Sequence, residues 1–448
     1  MNFLNIINKY EDEMINDLKG LLEIESTLRE NPDSADAPFG EGIRNSLNYV
    51  LDLGKRYGFD VKNVDNIAGH IEYGSGDEIV GILCHVDVVP ADAAEWEHNP
   101  FAGTVTAGRI YGRGAVDDKG PTISVLYALR MLKDLNIVPK KRIRLIIGTD
   151  EESGWRGIKR YFQKCEMPCF GFSPDADFPL IYGEKGILRI EINDTLPSEI
   201  KVKSGNRYNV VPALAIAEIN RPLEKEYLRY LGENGLNGYF DNGTLFLKGK
   251  SAHAMAPDLG INAAVKLTNF LVDYTENSLI HFSNDVLTDS RLKKAGLDFY
   301  DSEMQDLTCN LGILEINEKG GKACLDLRYP IRWNKDRFLR SFEEKILNYK
   351  LSYQVIEDKP VHYIDKDESE IKILHRAYIK YTNDDKTPLK TIGGGTYARA
   401  LKKGVAFGIV FPGRNDVVHQ ANEYISIEDL IVATAIYAEA VFQLGYDK

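Results

Sequence analysis

No run of about 18 consecutive apolar residues occurs in the chain, so no helical membrane span is expected. The N-terminus lacks both a basic start and a continuous apolar core, because Asn5, Asn8, Lys9, Glu11, Asp12, Glu13 and Asp17 interrupt it. A secretory leader is therefore not expected, and the protein reads as cytoplasmic. Cysteine is scarce: five residues, an odd number, as expected for reduced thiols rather than a disulfide framework. Cys165 and Cys169 have no second Cys or His pair beside them and read as free thiols rather than metal ligands. Basic residues are outnumbered, leaving a formal charge of -12. No phosphate-neutralising surface follows from that balance, so nucleic acid is not an expected partner. Internal repeats, low-complexity tracts and Pro/Ser-rich linkers are also missing.

What is present is an ordinary globular composition, 44% hydrophobic and 27% charged over 448 residues, enough for two domains with separate cores. The first third alternates strand-like and helix-like segments, the pattern of a layered α/β domain. Residues 79–84 (IVGILC) and 142–148 (RIRLIIG) form continuous apolar runs, predicting buried strands. A short third strand is predicted over 170–173, with helices over 121–136 and 155–164. Beyond Gly186 the texture changes. Residues 188–193 (LRIEIN) and 325–328 (LDLR) alternate apolar and polar, as strands with one face in water do. A strand over 244–248 and helices over 262–273 and 335–349 complete an antiparallel sheet with helices on one face. From about Asp367 the helical pattern returns, followed by a Gly-rich loop, a strand over 405–411 and a last helix from Ser426. Ser426 with Asp429 resembles a capping box. The predicted layout is an α/β domain made of residues 1–186 and 366–448, its mixed sheet flanked by helices, with an α+β domain of residues 187–365 inserted.

Only eight histidines occur, so each can be weighed. His85 ends the first apolar strand in CHVD, and Asp87, two residues on, points the same way. The carboxyl end of a strand is where open α/β sheets carry sites, and a carboxylate beside a histidine fixes its tautomer. A core histidine with a neighbouring acid is the plainer alternative. Asp117 and Asp118 follow a Gly-rich turn at a helix start, where one acid would serve as a cap. Asp150, Glu151 and Glu152 follow the second strand, and Asp175 and Asp177 the third; adjacent acids repel unless a cation or solvent compensates. His419 comes near the C-terminus. Each segment alone is unremarkable. Together they bring His, Asp and Glu, the ligand set of zinc or manganese, to successive strand ends. Such a set suits two ions about 3.5–4 Å apart that share a carboxylate and acidify a water. A base that is not itself a ligand is also needed, and adjacent Glu151 and Glu152 suit that division.

The motifs CHVDVVP, GRGAVDDKGP, GTDEESGW, SPDADFP, GKSAHA, GGGTYAR and HQANEY, in this order across essentially the whole chain, resemble the co-catalytic zinc aminoacylase/carboxypeptidase family of metallopeptidases. The resemblance is greatest to its PepV-like (Xaa-His, carnosinase-type) bacterial dipeptidases. It implies two divalent metal ions per chain, zinc or manganese. His85 and Asp175 would hold one ion, Glu152 and His419 the other, and Asp117 would bridge them. Glu151 would be the general base, Asp87 the partner that orients His85, and the Asp117–Asp118 peptide bond would be cis. The inserted domain would act as a lid, with His253 polarising the scissile carbonyl. Asn209 and Arg328 would contact the substrate, Arg328 as a clamp for its free carboxylate. Gly394 and Gly395 of the GGGT loop would bring backbone groups close to the peptide. A turn histidine and a strand ion pair are the plainer readings of His253 and Arg328.

The function this implies is hydrolysis of unblocked dipeptides to free amino acids, by a water shared between the ions and deprotonated by Glu151. The alternative on the same fold is an N-acyl-amino-acid or N-succinyl-diaminopimelate-type deacylase. A non-catalytic binding protein is disfavoured because every ligand and the base are present. The Gly393–Gly395 run lacks the following Gly-Lys-Ser/Thr of a phosphate loop. The enlarged lid implies a monomer. His70, His98, His281, His362 and His375 fall in no motif and read as ordinary surface or core residues.

Overall fold

The computed structural model describes residues 1–446. The chain forms two compact units: Met1–Tyr182 with Ile364–Lys390 and the chain from Gly395, and Gly183–Tyr363 with Thr391–Gly394. Among the described residues no helix is long and apolar enough to cross a membrane, and all five cysteines are free.

In the first unit the strands Asp60–Val64, Ala68–Tyr73, Arg142–Gly148, Ile79–His85, Phe170–Ser173 and Gly404–Ala406 lie side by side in that order. Ile79–His85 is buried at every position, as its unbroken apolar run requires. It runs parallel to both neighbours, with His85 opposite Gly148 and Ile82 opposite Leu145 and Phe172. The carboxyl ends of three strands therefore meet at one edge. The helices Lys119–Asp134 and Ile427–Tyr446 pack together and are buried along most of their length. Their sequences are apolar on several sides, as for helices wedged between other layers. The Ser426 hydroxyl accepts the Asp429 N–H at 3.0 Å, so half of the expected capping box forms.

The strand expected over 405–411 is broken. Gly404–Ala406 stays in the main sheet, whereas Ile409–Val410 pairs with Ala176–Asp177 instead. Gly408 makes the break. Its φ is 85°, and a Cβ there would meet the Phe178 ring at 2.4 Å and the Tyr437 hydroxyl at 2.5 Å. An apolar run with one central glycine thus became a bend rather than a continuous strand.

The second unit carries an eight-stranded antiparallel sheet in which Thr308–Asn317, Gly320–Tyr329 and Gly186–Asp194 lie side by side. Leu188, Ile190 and Ile192 enter one core with Phe270, Leu279, Phe282 and Phe342 of the helices Ala263–Leu271, Ser278–Val286 and Lys335–Asn348. Arg189, Glu191 and Asn193, the alternate residues, are only half-buried. The period-two pattern that predicted a half-covered sheet is realised side chain by side chain.

Candidate metal centre

His85 is the last residue of its strand and fully buried. Its Nε2 lies 2.9 Å from Asp117 Oδ1 and 3.8 Å from Asp175 Oδ2. The other oxygen of Asp117, Oδ2, lies 3.0 Å from His419 Nε2, which is itself 3.0 Å from Glu152 Oε1. One carboxylate thus presents each of its oxygens to a different imidazole. Two overlapping groups result, His85–Asp117–Asp175 and Asp117–Glu152–His419, whose ligand atoms lie within 4.8 Å of one another in each group. Glu151 belongs to neither.

The local fold explains each placement. His85, the Asp150–Glu152 turn and Asp175 come from the three parallel strand ends. Asp117 comes from the loop before the helix Lys119–Asp134, with a cis peptide bond to Asp118. Asp118 does not cap that helix. Its Oδ2 accepts the His85 N–H at 2.9 Å, tying the loop to the strand end. The acidic triplet is divided three ways. Asp150 is buried against Arg156 at 2.7 Å, Glu152 faces His419, and Glu151 stands between. Asp87 differs in detail from the expected tautomer lock. His85 Nδ1 meets the Asp87 main-chain carbonyl at 3.0 Å, with the carboxylate 3.5 Å away. That carboxylate accepts the Glu152 N–H at 3.1 Å, so Asp87 joins two strand ends.

The charges fit a cation. Burial pushes Glu151 up to about 7 and pushes Asp175, Asp118 and Glu152 above the usual carboxylate range. Hydrogen bonds donated by its Nε2–H to the Asp117 and Glu152 carboxylates raise His419 to about 10. Burial opposes the charged form of His85, yet Asp117 and Asp87 together hold it well above its ordinary value. Several acids crowded around two imidazoles, most of them pushed toward the neutral form by burial, form a donor set suited to divalent ions. Beside it lies a cavity of about 480 Å³, lined among others by Asp117, Asp175, Asp177, Lys390, Phe411 and Val418.

A profile of Peptidase family M20/M25/M40 matches residues 81–443. The chain belongs to this family. A protein of Staphylococcus saprophyticus, provisionally named a dipeptidase, is 43% identical over 99% of each chain, and one of Staphylococcus aureus matches equally well. Among solved structures, human carnosine dipeptidase 1 is 16% identical with a TM-score of 0.58, covering 99% of this chain and 98% of that one. The aminoacylhistidine dipeptidase of Vibrio alginolyticus has 14% identity and a TM-score of 0.58 over 96% of both. At such identities the likeness concerns the fold. The M20 family is one of metal-dependent peptidases, and the two ligand groups fit a dinuclear centre.

The other expected site residues, Gly395 apart, lie in the second unit. The His253 main chain bridges to Val210, and the Asn209 carbonyl accepts the Ala254 N–H at 2.9 Å, which sets Asn209 beside His253. His253 Nδ1 accepts the Met255 N–H at 3.1 Å, so in the neutral ring Nε2 carries the proton. Burial, with Arg328 nearby, lowers its pKa and favours that neutral form. Arg328 is buried, and its Nε and Nη2 are already engaged by Asp326, while Nη1 donates to the Gly393 carbonyl at 3.1 Å. Only part of its fork is left for another carboxylate. Gly394 groups with the second unit and Gly395 with the first.

Two residues escaped the sequence reading. Tyr397 is fully buried, its ring edge-on to His85 at 5.8 Å and to Trp155 at 5.3 Å. Glu423 is fully buried beneath the loop that carries Asp117. Both stand in quoted motifs, GGGTYAR and HQANEY, which was the signal available.

Proposed function

We propose that this protein is a metal-dependent dipeptidase that hydrolyses unblocked dipeptides to free amino acids. The observation that carries the reading is Asp117, whose two oxygens face His85 and His419 between Asp175 and Glu152. In this reading His85 and Asp175 hold one divalent cation, Glu152 and His419 the second, and Asp117 bridges them. Zinc suits the imidazoles, manganese the many carboxylates. Bound there, the cations supply charge that acidifies a water and polarises the scissile carbonyl.

Glu151 takes the proton of the attacking water and returns it to the leaving amine; its burial and its place outside both ligand groups support that role. Asp87 orients His85 and holds the Glu152 main chain. His253, with Nε2–H as its free donor, stabilises the developing oxyanion. Asn209, Arg328, Gly394 and Gly395 bind the substrate, as the family resemblance implies. The cavity lies within the size range of small-molecule sites, which supports a small substrate. We assign the working form as a monomer.

The test strips the protein with chelator and restores it separately with zinc, manganese and cobalt. Each form is then assayed on free dipeptides and on N-acetyl and N-succinyl amino acids. Turnover of free dipeptides only after metal is restored is expected. Preference for the blocked amino acids would reassign the protein as a deacylase, and no turnover of either class with any metal would sink the reading.

A further inference from the structure

The most heavily bonded acidic side chain near the centre is not a proposed ligand. Glu423 is fully buried, and its carboxylate accepts N–H groups from Gly114, Val116 and Asp117 at 2.8–3.2 Å. Arg113 Nη1 adds an ion pair at 2.7 Å, and the Glu423 carbonyl accepts the Gly112 N–H at 3.0 Å. The loop turns at Gly114, with φ at 94°, and its main-chain N–H groups converge on one point. Such a concavity is an anion site, and here a side chain of the protein fills it. The loop ends at Asp117, whose oxygens face both histidines. Glu423 itself lies four residues beyond His419 in the chain. The strand Tyr424–Ser426 pairs with Arg109–Tyr111, and next to that pairing the Glu423 carboxylate fastens the segment carrying His419 to the loop carrying Asp117.

We propose that Glu423 is a positioning residue of the metal centre, locking the Gly112–Asp117 loop so that Asp117 faces His85 and His419 together. The proposal rests on the reading of those residues as metal ligands. It differs from a general packing role in what it controls. Loss of the carboxylate leaves the buried N–H groups of Gly114, Val116 and Asp117 underpaired, and the loop relaxes toward other partners. The bridging oxygens then lose their fixed separation, while the strand ends that bear His85, Glu152 and Asp175 stay in place.

Glu423→Gln keeps the shape and removes the charge. Metal titration of the chelated protein is expected to show binding weakened by about tenfold to a hundredfold, the usual cost of removing a group that orients metal ligands. The absorption bands of the cobalt-loaded variant should shift, and kcat should fall while KM for a dipeptide changes little. Wild-type metal affinity and wild-type cobalt bands in the variant would overturn the proposal, even if it melts lower. A second measurement does not depend on the variant folding. In the chelated wild-type protein, hydrogen exchange over residues 112–118 should be slow, and exchange as fast as that of an exposed loop would equally overturn it. Wild-type protein that binds no divalent ion would instead refute the metal-centre reading, whatever the exchange data show.

Discussion

Glu151 and Glu152 are neighbours in sequence and opposites in environment. Glu152 faces His419 at 3.0 Å, whereas Glu151 joins neither ligand group, and burial lifts it to about 7. A carboxylate of that kind accepts and releases a proton near neutrality, which is what a general base needs. Glu151→Gln is therefore expected to lower kcat by about 10²–10⁴-fold while the protein keeps its metal. Paired measurements of turnover and metal content check this; a variant that still turns over at close to the wild-type rate would remove Glu151 from the mechanism. The residues that proved easiest to find in the sequence share one property. His85 ends a strand, and Glu152 and Asp175 closely follow strands, that their own apolar runs announce, so local pattern placed them at strand ends, and the motif resemblance supplied their roles. Glu423 was not legible as a support, because the N–H groups it satisfies belong to a loop some 300 residues earlier in the chain. The engagement of Arg328 by Asp326 stood closer to view, since residues two apart on a strand share a face, but alternation does not say which pair will be buried.

At the scale of elements, strand ends must stay bare where another part of the chain crosses them. Gly148 closes the strand Arg142–Gly148 just before the acidic turn, and a Cβ there would fall 1.8 Å from the Tyr397 hydroxyl. Tyr397 cannot step aside cheaply, because its ring is fully buried against His85 and Trp155. Gly148→Ala should therefore destabilise the protein by about 1–3 kcal/mol through overpacking and disturb the turn that carries Glu151 and Glu152. Gly232, in the helix Glu224–Glu233, is the control: nothing lies within 4 Å of its added Cβ. Gly232→Ala is expected to be neutral or to stabilise by up to about 1 kcal/mol. Denaturant unfolding of both variants decides the point, and wild-type stability in Gly148→Ala would refute the packing argument. Most elements were readable because hydrophobic period and burial agree. The strand over 405–411 was misread because its apolar side chains fit a strand and a bend equally well, and the choice was made by the Phe178 and Tyr437 rings closing on Gly408.

At the scale of the whole molecule the proposed centre couples folding to protons that a bound ion would displace. Glu151 rises from 4.5 to about 7 on folding, chiefly through burial, so the folded chain holds a proton there that the unfolded chain releases. The stability this confers is present below about pH 4.5 and is lost as pH rises through 7. His419 rises from 6.5 to about 10 through its hydrogen bonds with Asp117 and Glu152, and its contribution is lost across that higher window. Asp175, Asp118 and Glu152 shift in the same direction as Glu151. Asp117 shifts the opposite way, despite its burial, because His419 and His85 favour its charged form; its effect falls in acid, below 3.8. Chelated protein should therefore lose stability through this site as pH rises from mildly acid to alkaline. Metal binding runs the other way, since ligands must shed their protons to coordinate, and affinity rises with pH. The difference in Tm between metal-loaded and chelated protein should thus widen steadily from about pH 5.5 to 8.5. Calorimetric scans in excess metal and in excess chelator across that range measure it directly. A gap that stayed constant would mean that the acids and histidines at these strand ends do not release their protons to a bound ion, and the centre would have to be sought elsewhere in the chain.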